Sequence, residues 1–171
     1  MKVKDACTPS AKTCSPEANL AHAAVLMWEN DCGLVPVVDG EGRPVGVITD
    51  RDIAIAVGTR GRPASEITVQ EAMSRNPRTV RPEDEVRSAL EVMETTQIRR
   101  LLVVDGRGVL VGVLSLSDIV RRLDGRGGPA GEEVLEALKA ICRPHRLEEK
   151  PVAAPSGRTA GRSSALSRNR A

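Results

Sequence analysis

A single register relates the two halves of this chain: residues that resemble one another stand 66 positions apart. Val37–Gly40 returns as Val103–Gly106, and the run Gly46–Ile53 returns as Gly112–Ile119. The same spacing holds from the start of the chain onward without a gap. A constant offset of this kind indicates a duplication, so the chain is expected to fold as two similar halves.

Each copy predicts the same order of elements, β-α-β-β-α. A short extended piece precedes a helix that we expect to open at Pro16 in one copy and at Pro82 in the other, since proline fits the first helical turn. Two apolar strands separated by an Asp-Gly turn follow. The closing helices are expected at Arg51–Val57 and Ser117–Leu123. Neither half is large enough to be stable alone, so the predicted fold is α/β, with two β-α-β-β-α repeats packed about a pseudo-two-fold axis.

Composition and periodicity divide the chain into five segments. The first repeat is expected at 1–58 and the second at 67–123, joined by a Gly/Arg/Pro linker at 59–66. Apolar residues at helical spacing predict a short C-terminal helix at 132–143. The composition then shifts to Pro, Ser, Gly, Ala and Arg, so 144–171 is expected to be a disordered basic tail.

Several classes of partner are disfavoured by composition. The chain has one Trp and neither Tyr nor Phe, whereas binding of single strands by base stacking needs aromatic platforms. The formal charge of +2 is weak, so no nucleic-acid partner is expected. No stretch approaches the roughly 18 apolar residues of a membrane span, which argues against a membrane partner. Without a recognisable targeting signal, a cytoplasmic location is the expectation.

The repeated motifs, taken together, resemble a known family. Ala72-Met73, the Pro36–Asp39 strand and the Gly46–Ile53 run are similar to those of the CBS domain, which occurs in pairs called Bateman modules. The likeness covers roughly 1–123, and with the trailing helix the chain resembles the small stand-alone CBS proteins of actinobacteria, the hypoxic-response type among them. It implies a regulatory homodimer that binds an adenosine derivative such as AMP, ATP or S-adenosylmethionine, with AMP or ATP favoured, in clefts between the repeats.

The candidate site rests on Thr49-x-x-Asp52 and Ser115-x-x-Asp118. A carboxylate at the start of a helix can accept hydrogen bonds from both ribose hydroxyls. The hydroxyl three residues earlier can donate to ribose or phosphate, and the N–H groups of the helix terminus favour an anion. The same spacing is also a capping box, which stabilises a helix without any ligand.

Other residues complete the expected ligand set. Arg51 places a positive charge beside the first motif, and Ser117 lies within the second. Arg99 and Arg100, at the start of a strand of the second repeat, are expected to supply positive charge for another phosphate. By the family resemblance, the backbone near Thr13 and Thr79 would frame the base.

The four cysteines suggest a redox or zinc hypothesis, which the repeat tests. Three of them align with apolar residues of the sister copy and are explained by packing: Cys7 with Met73, Cys14 with Val80, and Cys32 with Ile98. Cys142 has no counterpart. It could form a disulfide with Cys14, or join His145 in a metal site, and these alternatives stay open beside that of free thiols.

Trp28 aligns with Glu94 and is therefore expected to face outward, either as an interface anchor or lying flat on aliphatic neighbours. Neither motif is accompanied by a nucleophile, a base and an orienting group, so an enzyme is not expected, and no cofactor is required. The leading interpretation is a regulatory module that senses an adenosine derivative and acts on a partner in trans. The alternative is a non-nucleotide structural protein or a thiol, redox or zinc stress sensor that acts through Cys142 and the dimer surface.

Overall fold

The structure, a computed structural model, describes residues 1–123 and 127–144. The tail expected at 144–171 and His145 therefore lie outside the described residues, apart from Pro144. The helices are α1 (Val3–Ala6), α2 (Leu20–Glu29), α3 (Asp50–Arg60), α4 (Val69–Ala72), α5 (Val86–Thr96), α6 (Leu116–Val120) and α7 (Gly131–Ile141). The strands are β1 (Thr8–Pro9), β2 (Leu34–Val38), β3 (Pro44–Thr49), β4 (Ser74–Arg75), β5 (Thr79–Val80), β6 (Arg100–Val104) and β7 (Leu110–Ser115).

The strands form two sheets, and each sheet uses residues of both repeats. The first sheet has the order β2-β3-β4, and the second has the order β1-β7-β6-β5. Each repeat thus gives its first residues, 1–9 or 67–75, to the sheet of the other. We call these the exchanged segments. The first unit is the β2-β3-β4 sheet with α2, α3 and α4, and the second unit is the other sheet with α1, α5, α6 and α7.

Two glycines make this exchange possible. Gly46 of β3 is paired with Arg75, and Gly112 of β7 is paired with Pro9. A Cβ added to Gly46 would lie 2.7 Å from Met73 Sδ and 2.8 Å from the carbonyl oxygen of Ser74. A Cβ on Gly112 would lie 2.7 Å from the carbonyl oxygen of Thr8. Such distances are inside van der Waals contact, so only glycine lets the exchanged segments approach this closely.

Two separate hydrophobic clusters stabilise the units. In the second unit, the fully buried Val3 and Ala6 of the exchanged segment pack with α5, β6 and β7. In the first unit, Ile67 and Val69 make the matching contribution. The second cluster is extended by α7, whose Val134, Ala137 and Ile141 are buried against it. The core of each unit therefore includes residues of the other repeat's exchanged segment.

The expectation that helices open at Pro16 and Pro82 is wrong, because they begin at Leu20 and Val86. The proline segments are turns whose carbonyl groups accept hydrogen bonds from the exchanged segments. Gln70 N–H donates to Pro16 O over 2.9 Å, and Lys4 N–H donates to Pro82 O over 3.0 Å. These hydrogen bonds to the exchanged segments are made where the first turn of each helix was predicted.

The closing helices also differ from expectation. Helix α3 continues through Gly58 to Arg60 and ends where Gly61 adopts φ 62°, the left-handed conformation typical of a helix C-terminus. Helix α6 is shorter than expected and ends at Val120. The predicted C-terminal helix is present as Gly131–Ile141. No helix in residues 1–123 and 127–144 is long and apolar enough to cross a membrane.

Candidate functional site

Two clefts, related by the 66-residue offset, lie where the units meet. Cleft A, with a volume of about 920 Å³, contains Thr49 and Asp52 together with residues 74–78 and 95–100. Cleft B, with a volume of about 450 Å³, contains Ser115 and Asp118 together with residues 8–12. Each motif thus shares its cleft with the loop that begins the other repeat, which is a direct consequence of the exchange.

In cleft A the motif forms a complete capping box. Thr49 N–H and the Thr49 hydroxyl donate to Asp52 Oδ2 over 3.0 and 2.6 Å, and Asp52 N–H donates to Thr49 Oγ1 over 3.2 Å. The other carboxylate oxygen, Asp52 Oδ1, receives no hydrogen bond from the part of the chain that the structure describes. The capping and ligand-binding interpretations are therefore compatible, since they use different oxygens.

The hydroxyl has a different role from the one expected. Its single proton is directed to Asp52, so Thr49 cannot donate to ribose or phosphate while the box is intact. The Ser115 hydroxyl donates to Asp118 Oδ2 over 2.6 Å in the same way. Both hydroxyls can accept from a ligand, and the carboxylates they hold are fixed in orientation.

In cleft B the carboxylate is occupied on both sides. Asp118 Oδ2 accepts from Ser115 N–H over 2.9 Å, while Oδ1 forms an ion pair with Arg121. Asp118 is 4% exposed. Among the residues that the structure describes, no other charged side chain is buried to this extent. Ser117, the third expected residue of this motif, also lines cleft B.

The three arginines expected from the sequence all line cleft A. Arg99 and Arg100, expected to supply charge for a further phosphate, both line cleft A beside Asp52, and Arg100 reaches cleft B as well. Arg51 lies in cleft A as expected. Arg99 stands immediately before β6 in the second unit, where its side chain reaches both the Cys142 sulfur and cleft A.

Two arginines of cleft A, Arg75 and Arg78, were missed from the sequence. Arg75 ends the exchanged strand β4, and Arg78 lies on the loop that follows it. Arg78 aligns with Lys12 of cleft B, so a basic residue kept in both copies was the available signal. In both loops a residue adopts the left-handed conformation: Ser10 at φ 54° and Asn76 at φ 57°.

Thr13 and Thr79 line neither cleft. Thr79 pairs with Leu102 in β5 and borders a separate hollow near Asp105. The loops just before them, 10–12 and 76–78, face the clefts instead. The residues in position to frame a base therefore lie a few positions before Thr13 and Thr79, closer to strands β1 and β4.

The cysteines are free thiols in the structure. Cys14 is 5% exposed in the core of the first unit, and this burial raises its pKa to about 11. Cys142 is exposed at the end of α7 in the second unit, where Arg99 Nη2 lies 3.8 Å from its Sγ. A Cys14–Cys142 disulfide is thus not formed. Within residues 1–123 and 127–144, no three His, Cys, Asp or Glu side chains are grouped as metal ligands.

Trp28 is 88% exposed, as its alignment with Glu94 predicts. It borders a shallow groove of about 650 Å³ between α2 and α3, lined by Ala24, Met27, Ile53 and Ala54. Val25 and Ile55, on the same two helices, are also exposed, by 50% and 52%.

The sequence pattern of the CBS domain matches residues 3–58 and 66–125. Among curated relatives, YhcV of Bacillus subtilis, a CBS domain-containing protein, is 38% identical over 68% of this chain and 81% of its own length. Hypoxic response protein 1 of Mycobacterium tuberculosis is 32% identical over 79% of this chain and 90% of its own. Protein MK0525 of Methanopyrus kandleri is 35% identical over 64% of this chain, which spans 56% of that relative.

Solved structures show the same likeness. Hypoxic Response Protein I, with two coordinated zinc ions, superposes with a TM-score of 0.65 at 28% identity over 72% of this chain and 99% of that one. CBSX2 in complex with AMP gives 0.61 at 29% identity, over 70% and 93%. The CBS domain pair of MJ0100, in complex with 5′-methylthioadenosine and S-adenosyl-L-methionine, gives 0.66 at 28% identity, over 74% and 98%.

Enzymes also match, but only in part. The inosine-5′-monophosphate dehydrogenase of Methanocaldococcus jannaschii is 30% identical over a region that makes up 26% of its length. The matched region in such a multidomain enzyme is its CBS part, which is regulatory. With the fold, the two clefts and the repeated motif all in agreement, the chain belongs to the CBS domain family and carries two of these domains as a tandem pair.

Proposed function

We propose that this chain is a regulatory module that binds an adenosine derivative in cleft A and acts on a partner in trans. The observation that carries the proposal is the state of Asp52. Its carboxylate is held by the capping box through Oδ2, while Oδ1 is open to the cleft among the described residues. A carboxylate oxygen presented in this way can accept from a ribose hydroxyl in a charge-assisted hydrogen bond.

The remaining walls of cleft A suit the other parts of such a ligand. Apolar side chains provide a surface for a flat base: Leu34, Val47, Ile98, Leu102 and Ile141. Arginines stand around them and can pair with phosphate oxygens bidentately. This combination favours AMP or ATP over S-adenosylmethionine, whose sulfonium is positively charged. CBSX2 binds AMP, and the MJ0100 pair binds 5′-methylthioadenosine and S-adenosyl-L-methionine, which supports an adenosine ligand here.

The test is a thermal-shift screen of the reduced protein against AMP, ATP and S-adenosylmethionine, with Asp52→Asn and Asp118→Asn as a matched pair. A ligand at 100 times its dissociation constant stabilises the fold by about 2.7 kcal/mol, which is a shift of several degrees. We expect a shift with AMP or ATP that is lost in Asp52→Asn and kept in Asp118→Asn. No shift with any of the three ligands in the wild-type protein would refute the proposal.

We further propose that the module is a homodimer joined through the first unit. The exposed Trp28 and the groove beside it lie on one face, so a two-fold axis could seat each indole in the groove of the other copy. Such self-complementarity is what a two-fold interface requires, and tryptophan is a frequent anchor in interfaces. The face of a monomer seldom exposes several large apolar side chains together.

A second candidate function, thiol sensing through Cys142, is favoured by one contact. The exposed thiol lies 3.8 Å from Arg99 Nη2, so a change at sulfur would act on a residue that lines cleft A. Under this alternative, oxidising the protein changes ligand affinity in the wild type and not in Cys142→Ser. Equal affinities in both redox states would exclude it.

A further inference from the structure

The two clefts have the same backbone plan and very different charges. Among the described residues, cleft A is lined by five arginines and one carboxylate, that of Asp52. The arginines are Arg51, Arg75, Arg78, Arg99 and Arg100. Cleft B is lined by Lys12, Arg100 and Arg121, set against Asp31 and Asp118. Cleft A therefore has a large excess of positive charge, and cleft B is close to balanced.

None of the five arginines of cleft A forms an ion pair with a carboxylate in the part of the chain that the structure describes. Their contacts there are weak: Arg75 Nη2 lies 3.4 Å from the carbonyl oxygen of Gln70, and Arg99 donates to the Cys142 sulfur. Other surface cations of this chain do have partners, such as Arg62 and Arg60 on Glu71. Unpaired like charges in one concavity repel each other and attract an anion.

A single position decides whether the motif carboxylate is free. Arg121, which pairs with Asp118 Oδ1, aligns with Ile55 of the first repeat. Ile55 has no donor, so the corresponding oxygen of Asp52 stays available. The two motifs are otherwise alike, down to the 2.6 Å hydrogen bond from the hydroxyl.

Resting on the proposed function, we infer that each chain binds one nucleoside polyphosphate, in cleft A, and that Arg121 closes cleft B. Arg121 takes the place at Asp118 that a ribose hydroxyl would need. A neutral hydroxyl makes a weaker hydrogen bond to a carboxylate than a guanidinium does, so it does not displace Arg121. The carboxylate is also 4% exposed, and a buried charge that loses its partner is costly.

The number of arginines sets the expected length of the phosphate chain. A monophosphate carries about two negative charges and can be held by one or two arginine forks, which leaves most of the excess charge of cleft A unbalanced. Each further phosphate removes more of that excess. The volume of about 920 Å³ is twice that of cleft B and accommodates a base, a ribose and several phosphates.

The experiment is isothermal titration calorimetry of the full chain with ATP, ADP, AMP and adenosine. We expect one site per chain and an affinity that rises at least tenfold from AMP to ATP. The gain should diminish as salt is raised, because it arises from charge. Two sites in the wild-type chain, or an AMP affinity equal to that of ATP, would overturn the inference.

A reciprocal pair of variants tests the closing residue. Arg121→Ile gives the second repeat the residue of the first and should raise the stoichiometry to two sites per chain. Ile55→Arg places a guanidinium beside Asp52 and should weaken ATP binding at least tenfold. Position 55 is 52% exposed, so this second variant does not disturb a core and remains informative if Arg121→Ile folds poorly.

The outcomes separate this inference from the function on which it rests. Two sites in the wild type, with binding lost from one of them in Asp52→Asn, would leave the adenosine-binding function intact and refute the closing of cleft B. A folded Arg121→Ile with one site would do the same. No binding of any of the four probes to the wild type would overturn both.

Discussion

The outer helical faces of the two units diverge, although their backbones and cores are duplicates. In the second unit α7 packs on α5, and Ala137 is fully buried in that contact. In the first unit α2, the counterpart of α5, is contacted by the short 3-10 helix Ala64–Glu66 and by α3, and Trp28 stands exposed at the position of Glu94. The core positions were kept because both copies need the same packing. Trp28 and Glu94 are both exposed, so no shared packing requirement kept this position alike in the two copies.

The largest expected loss of stability is at the contact between α5 and α7 in the second unit. Ala137→Asp would bury a carboxylate between α5 and α7 and should lower the free energy of unfolding by about 3–4 kcal/mol. Leu135→Asp is the control, since Leu135 on the same helix is 50% exposed and its change should cost about 0.5 kcal/mol or less. Urea denaturation measures both. Equal stabilities of the two variants would show that α7 does not cover the second unit in solution.

Added side-chain volume where the exchanged segments cross the sheets should destabilise both units. Gly112→Ala or Gly46→Ala puts a methyl group into the backbone of the segment that crosses it, with an expected loss of about 1–3 kcal/mol. Gly40→Ala and Gly106→Ala are matched controls, because a Cβ at either position meets nothing within 4 Å. If the crossing variants were as stable as these controls, the close approach of the exchanged segments would be disproved.

A change at the exposed Trp28 of the first unit should alter assembly and have little effect on stability. Trp28→Glu installs the residue of the second repeat, and the fold should change in stability by about 0.5 kcal/mol or less because the side chain is exposed. Sedimentation velocity should show the variant as a monomer and the wild type as a dimer. Glu94→Ala, on the opposite unit, is the control and should leave the dimer unchanged. A dimeric Trp28→Glu would move the interface elsewhere.

The smallest effect concerns Glu71, which is held by the linker between the two repeats. Hydrogen bonds from Thr68 N–H and from Arg62 lower the pKa of Glu71 from 4.5 to about 2. Since the folded state holds the ionised form, Glu71 contributes stability above pH 4.5, and this contribution is lost as the pH falls toward 2. Glu71→Gln should therefore flatten the acid side of a melting-temperature profile without altering it at neutral pH beyond a constant offset. A profile parallel to that of the wild type would contradict the role of Glu71.

The duplicated pattern was sufficient to predict the fold class, because apolar periodicity within each copy reports the strands and helices directly. It did not predict the exchange. Strands β1 and β4 have two residues each, and their partners lie far away in the chain, so no local signal reports the pairing. The helix starts at Pro16 and Pro82 were wrong for the same reason, since the competing hydrogen bonds come from the exchanged segments.

The motif residues of the candidate site were recognisable from spacing, but their neighbours were not. Arg99 and Arg100 were expected to bind a phosphate, but only the packing of the two units shows that both line the cleft of the first motif. Arg121 was overlooked, although its position three residues after Asp118 on a helix is the spacing at which opposite charges meet. A signal for the closed cleft was thus present in the sequence.

The exchanged segments also bear on how such a chain could have arisen. In a one-repeat precursor with the same strand pairing, the first residues that complete each sheet would have come from a second molecule. Fusion of two copies made that contact intramolecular, at a high effective concentration that does not depend on how much protein the cell contains. The two halves of the present chain are, in this sense, a swapped dimer that became one polypeptide.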